Sequence, residues 1–140
     1  MELGGNKMNF DTQVCTTREQ SERLLALGLN KETADCFIWC SDDKDYAALN
    51  SPDSLVEEGV GDIYAWSLHR LMGLCPTSVH MDDYPETLYY LVIDPYMVTY
   101  EKEDMDTLKR CKKGNVFDRM VDMIEWLIKN NHFNKEYLEE

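Results

Sequence analysis

Residues 87–100 read TLYYLVIDPYMVTY. The runs TLYYLVI (87–93) and YMVTY (96–100) are dense in aromatic and β-branched side chains, the types that pack well on a pleated surface. Asp94-Pro95 separates them, so two strands joined as a hairpin are predicted over about 87–100. Its turn is not one of the favoured two-residue types, because proline cannot take positive φ. The first run is apolar on both alternating faces, which predicts a central strand.

Downstream, EKEDMD and KRCKK (within 101–113) read as a polar connection whose sign changes in its middle. VFDRMVDMIEWLIKNN (116–131) then predicts the longest helix. Asp118, Asp122, Glu125 and Lys129 follow i, i+4, i+7, i+11 and form one narrow polar stripe. Apart from Arg119 nearly everything else is apolar, so the helix must be covered on most of its circumference, by a sheet or by a second copy of the chain. Trp126 lies nearest the polar stripe. With Ile124 and Leu127 it is the candidate interface of a homo-oligomer, tryptophan being enriched where partners meet. Residues 134–140 read as a fraying tail.

Upstream, Tyr64, Leu68, Leu71, Met72 and Cys75 make an amphipathic stripe, so 62–74 is predicted as a helix stopped by Pro76. The stretch 76–86 then reads as a loop. Ser51-Pro52 suits the start of one or two further helical turns. CFIWC (36–40) has the compact apolar character of a buried strand, SDDKD (41–45) of an acidic loop, and YAAL (46–49) of a return to the sheet. A helix over about 17–27 is announced by Thr16 three residues before Glu19, with Gly28 at the left-handed C-cap position. Asn30 can cap a shorter turn. The fold expectation is α+β: a small, mainly antiparallel sheet, including the hairpin at about 87–100, packed against three or more helices. One domain spans 1–140, with 1–12 as a poorly ordered leader.

Composition narrows the partners. The 140 residues carry 14 Lys+Arg against 27 Asp+Glu, a net charge of −13. Such a surface repels phosphate backbones and anionic membranes, which disfavours nucleic acid and lipid, and attracts basic proteins. No apolar run approaches the roughly 20 residues that span a bilayer. The opening MELGGNKMNFDTQV lacks an apolar signal-peptide core, so a cytoplasmic protein is expected. Five cysteines without a CxxC pair read as free thiols.

Catalytic signals are sparse. GxSxG, Walker A and GxGxxG are absent from the sequence, and no catalytic residue and no cofactor is indicated. His80, Asp82 and Asp83 share one acidic stretch and are the weak candidates for holding a hard cation, with His80 as a base. Cys36, Cys40, His69 and His80 contain the right atom types for zinc but lack its ligand spacing. Cys111, inside KRCKK, is the thiol whose pKa neighbouring charge would lower. KRCKK is the only basic cluster; pairing with the acids of 101–106 and pairing with a partner are both open. Cations just ahead of a helix are unfavourably placed against its dipole.

The segments TTREQSERLLALGL (16–29), DIYAWSLHRLMGLCP (62–76) and VFDRMVDMIEWLIKNNHFNKEYL (116–138) resemble, in this order, small uncharacterised proteins carried by prophages and mobile elements of gut anaerobic bacteria. The shared motifs are structural, so the resemblance implies an origin and a fold but no activity. The functional expectation is a non-enzymatic, acidic protein-interaction module encoded by a phage or mobile element. Its partner is a protein of basic character, or a second copy of the chain. The alternative is a small metal-dependent hydrolase or a Cys/His enzyme.

Overall fold

In the computed structural model, residues 12–49, 63–104 and 106–140 are described. The first 11 residues, most of the expected leader, and the helical turns expected after Ser51-Pro52 lie outside them. The elements run α1 (Arg18–Ala26), a 3₁₀ turn (Lys31–Thr33), β1 (Cys36–Ser41), β2 (Lys44–Leu49), β3 (Ile63–Ala65), α2 (Leu68–Leu74), β4 (Ser78–Met81), β5 (Tyr84–Ile93), β6 (Val98–Glu101), β7 (Thr107–Cys111), α3 (Val116–Lys129) and a 3₁₀ turn (Lys135–Tyr137). Among the described residues all sheet pairing is antiparallel, in one sheet of order β2-β1-β3 and another of order β4-β5-β6-β7.

This corrects the expected architecture while keeping the α+β class. In place of one small sheet under three or more helices, the described residues form two sheets of three and four strands with three α-helices. Two of the extra strands, β4 and β7, come from stretches that read as loops or connections, and β3 from the start of an expected helix. β4 and β7 are the two edges of the four-stranded sheet, and an edge strand wetted on one side has no need of apolar alternation. In β7 the register also shifts, Tyr100 facing Lys109 and Glu101 facing Thr107. Leu108 is the extra residue and packs on the core, which breaks the period of two. SDDKD is likewise a hairpin rather than a loop. Ser41 pairs with Lys44 across Asp42 and Asp43, whose φ of 53° and 62° match the twist of the flanking strands.

The helix expected over 62–74 starts later. Ser67 caps it, its side chain accepting from Arg70 N, and Ile63–Ala65 pairs with β1 instead. At α1 the cap is displaced by one residue. Thr17 and Gln20 form the capping box, while Thr16 is buried and its hydroxyl meets Trp66 N at 3.0 Å and Ser21 Oγ at 2.7 Å. Gly28, at φ +98°, closes the helix in the left-handed region that favours glycine.

Trp66 is fully buried where three segments meet. Its carbonyl accepts Thr16 N at 2.8 Å and its indole N–H donates to Thr33 Oγ1 at 2.9 Å. The next residue, Ser67, donates through both its backbone N–H and its hydroxyl to the carboxylate of Asp35. The main core spreads from this point through Leu24, Leu71, Val98 and Tyr100 to α3.

α3 is covered as its pattern requires, and by its own chain. Ile124 and Leu127 are 0% exposed, packed with Met120, Val121 and Met123 in the core. At its start, Asn115 and Asp118 make reciprocal cap bonds of 3.0 and 2.9 Å. Gln20 donates to the same Asp118 at 2.6 Å, fastening α1 to α3. Gly114 stands at φ +69°, where a Cβ would collide with the Asp118 carboxylate. Residues 134–140, expected to fray, are tied back: Asn30 N donates to Tyr137 O at 2.8 Å and Glu139 N to Gly28 O at 2.7 Å.

The position of Ile124 predicts that Ile124→Glu unfolds the domain instead of releasing soluble monomers. An unpaired carboxylate in that core costs several kcal/mol, a large share of a small domain's stability. Circular dichroism with size-exclusion chromatography distinguishes the two outcomes; a folded, monomeric variant is the result that contradicts the prediction.

Candidate protein-binding groove

Among the described strands, β5 carries three exposed large apolar side chains, Tyr84, Leu88 and Tyr90. Tyr89 and Leu91 pack on the core, and the alternation of the pleat sends Glu86, Leu88 and Tyr90 the other way. Leu88 is 38% and Tyr90 46% exposed, and Tyr84, at the hairpin end beyond a register shift against β4, is 65% exposed. Central position in a sheet satisfies the backbone of β5 on both sides, but leaves this face in water.

The connection from β6 to β7 rises beside it. Lys102, Glu103 and Asp104 form one wall, and Glu86, Leu88 and Tyr90 the other, of an open groove of about 450 Å³. Lys102 Nζ lies 3.5 Å from Asp104 and 3.7 Å from Asp106, so its charge is answered locally. The Asp104 carboxylate accepts Asp106 N at 3.1 Å, which with the Lys102 ammonium holds its pKa below the usual range. Glu86 and Glu103 have no cationic partner among the described residues. The groove therefore offers a tyrosine ring and a leucine flanked by free carboxylates. That combination binds cations with apolar stems, such as lysine and arginine side chains, by charge, ring-face attraction and stem burial.

The residues singled out from sequence fall elsewhere. His80 is on β4, with Nδ1 3.2 Å from Met81 O, and Asp82 and Asp83 are the turn residues between Met81 and its partner Tyr84. All three are exposed, and no group of three or more potential metal ligands occurs among the described residues. Ile124 and Leu127 belong to the core, and half-buried Trp126 lies against Tyr100 and His132 with ring centroids 6.2 and 5.2 Å away. Cys36 and Cys40 share a strand but are separated by about 13 Å at the usual rise, too far to hold one zinc ion. His69 is exposed on α2.

The Cys111 thiol runs against expectation. Burial raises its pKa and outweighs the lowering by Lys109, because the side chain points into the core opposite Val98 while the lysine charges stay in water. Cys36 is also raised, by its hydrogen bond to Cys15 and by burial. Burial pushes the Cys75 thiol up to about 12. Cys40 is the one exposed thiol of the five.

The groove itself was not legible in sequence. The apolar run 87–93 reads as covered on both faces, and the wall at 102–104 is positioned by a strand that sequence did not reveal. The available signal was chemical: tyrosine, with its polar tip, tolerates a wet face that leucine or valine alone would not favour. No helix of the described residues is long and apolar enough to cross a membrane. Neither a protein-family model, nor a curated protein, nor a solved structure matches the chain.

Thiol labelling checks this geometry. Native protein treated with a maleimide at pH 8 should take up one equivalent, at Cys40, with the other four labelled after denaturation. With iodoacetamide, Cys75 should stay unmodified through pH 10, since its thiolate forms well above that. Peptide mass spectrometry reads both, and rapid native labelling of Cys111 or Cys75 contradicts the packing described.

Proposed function

We propose that the chain is a non-enzymatic protein-interaction module, encoded by a phage or mobile element and working in the cytoplasm, whose partner is a basic protein. The observation that carries this reading is the groove beside β5, where Leu88 and Tyr90 stand exposed between the free carboxylates of Glu86 and Glu103. Tyrosine is enriched at protein interfaces because a rigid, amphipathic ring buries much area at little entropic cost. The net charge of −13 adds long-range attraction for a basic partner and speeds its encounter. A basic segment laid in the groove would put its cationic heads against the carboxylates and its apolar stems over Leu88 and Tyr90.

The test compares wild type with Leu88→Ser/Tyr90→Ser, two exposed changes that leave the core intact. Immobilised wild-type protein should retain a basic partner from host lysate and release it as salt rises. The double variant should retain it at least about tenfold less well, the size of losing two interface anchors. Equal retention by the variant, or retention indifferent to salt, overturns the reading. Circular dichroism of the variant establishes that the loss is not one of folding.

A further inference from the structure

One region of the surface gathers several of the chain's cations. Between the edge strand β7, the residues that follow it and the C-terminal half of α3 lies a cleft of about 570 Å³. Arg23, Lys109, Arg110, Lys112, Lys113 and Lys129 line it, six of the 14 Lys and Arg in a chain of net charge −13.

These six are not equivalent. Arg23 reaches Asp122 at 2.8 Å and Glu125 at 3.1 Å, and Lys129 reaches Glu125 at 3.3 Å. Two cations and two carboxylates thus cancel as one network. Lys109, Arg110, Lys112 and Lys113 have no carboxylate within ion-pair distance among the described residues; Arg110 donates to Thr107 Oγ1 at 3.2 Å. Four cations around the cleft therefore lack an ion-pair partner, Arg110 standing on the face of β7 turned away from α3 and Lys109, Lys112 and Lys113 lining the rest.

Sequence left open whether KRCKK pairs with the acids of 101–106. The fold answers that it does not. Lys109 lies opposite Tyr100, and the carboxylates of 101–106 make no ion pair with any of the four cations; Asp104 and Asp106 answer Lys102 instead. Like charges gathered round one cleft repel one another, and an anion among them relieves the repulsion.

We propose that this cleft is a binding site for a small molecule bearing a diphosphate or triphosphate group. Three to four negative charges on a compact group match the uncompensated charge. Arginine and lysine donors on neighbouring positions suit phosphate oxygens, and the volume falls in the range of small-ligand sites. The half-buried Trp126 on the same wall gives an organic portion, such as a nucleobase, an apolar surface. A long nucleic acid would meet the acidic remainder of the surface, and an acidic peptide spreads its charges too thinly along its chain to match cations gathered round one cleft.

Isothermal titration calorimetry at low salt tests this with pyrophosphate, triphosphate, ADP and ATP, and with hexaglutamate for comparison. The phosphate ligands should bind one per chain and weaken as salt rises. Lys109→Gln and Lys112→Gln should each weaken them about tenfold, the worth of one charge-assisted hydrogen bond, while Lys135→Gln, outside the cleft, should not. Lys112 is exposed, so its variant reports on binding without disturbing packing. ATP binding more tightly than triphosphate assigns the site to a nucleotide, and equal affinity assigns it to the phosphate group alone. No heat with any phosphate ligand, hexaglutamate binding as tightly as triphosphate, or affinity unchanged in both cleft variants overturns the proposal. The groove beside β5 shares no residue with this cleft, so either site can fail without the other.

Discussion

Everything in the fold hangs on the burial of Trp66. Its side chain is enclosed, so its backbone and indole polar groups must find partners within the protein. Those partners come from distant parts of the chain: Thr16 ahead of α1 and Thr33 in the 3₁₀ turn, with Asp35 serving the adjacent Ser67. Ala65, one residue earlier, pairs with Cys36 on β1. A single dipeptide, Trp66-Ser67, thereby ends β3, caps α2, and holds α1 against the smaller sheet. Removing any one of these hydrogen bonds would leave a buried donor or acceptor unsatisfied, a penalty larger than the bond's own net worth. That asymmetry keeps the arrangement in one geometry.

From that node the packing runs outward to α3. Six of its residues are buried, and Arg23 and Gln20 on α1 clasp its polar stripe from outside. The Arg23 contacts lower the pKa of Glu125, which accepts from both Arg23 and Lys129. The stripe Asp118, Asp122, Glu125, Lys129 is thus mostly internal wiring, and the helix offers no broad apolar face to a second chain. Surface available for recognition lies instead on the four-stranded sheet. Its two concave flanks have opposite character: acidic carboxylates around exposed tyrosine and leucine beside β5, and unpaired cations beyond the end of β7. Within 101–113 the acids and the cations make separate contacts, Asp104 and Asp106 answering Lys102 while Lys109, Arg110, Lys112 and Lys113 have no ion-pair partner among the described residues.

Much of this was legible beforehand, and for identifiable reasons. α1, α3, β1, and the pairing of β5 with β6 each carry a strong local signal, whether a hydrophobic period, a cap or a run of β-formers. Asn30 and Gly28 act where their backbone preferences suggest. The misreadings share one cause. β4, β7 and β3 are short, and all three are sheet edges, so their strand character resides in backbone pairing with partners remote in sequence rather than in their own side chains. Thr16 and Thr17 show the same limit at finer scale. Either could cap α1, and the choice was made by Trp66, fifty residues away, which takes the hydroxyl of Thr16.

By itself, the sequence determined the α+β class, the acidic balance, the burial of α3 and the free state of its thiols, because these follow from local period, composition and the absence of paired motifs. Only the tertiary structure decided what covers α3, that Cys111 faces the core despite its lysine neighbours, and that KRCKK borders a cleft instead of meeting the acids before it. Those outcomes depend on which segments come to lie side by side. Sheet pairing and helix packing set that adjacency through contacts between residues far apart along the chain, and no local pattern encodes a distant neighbour.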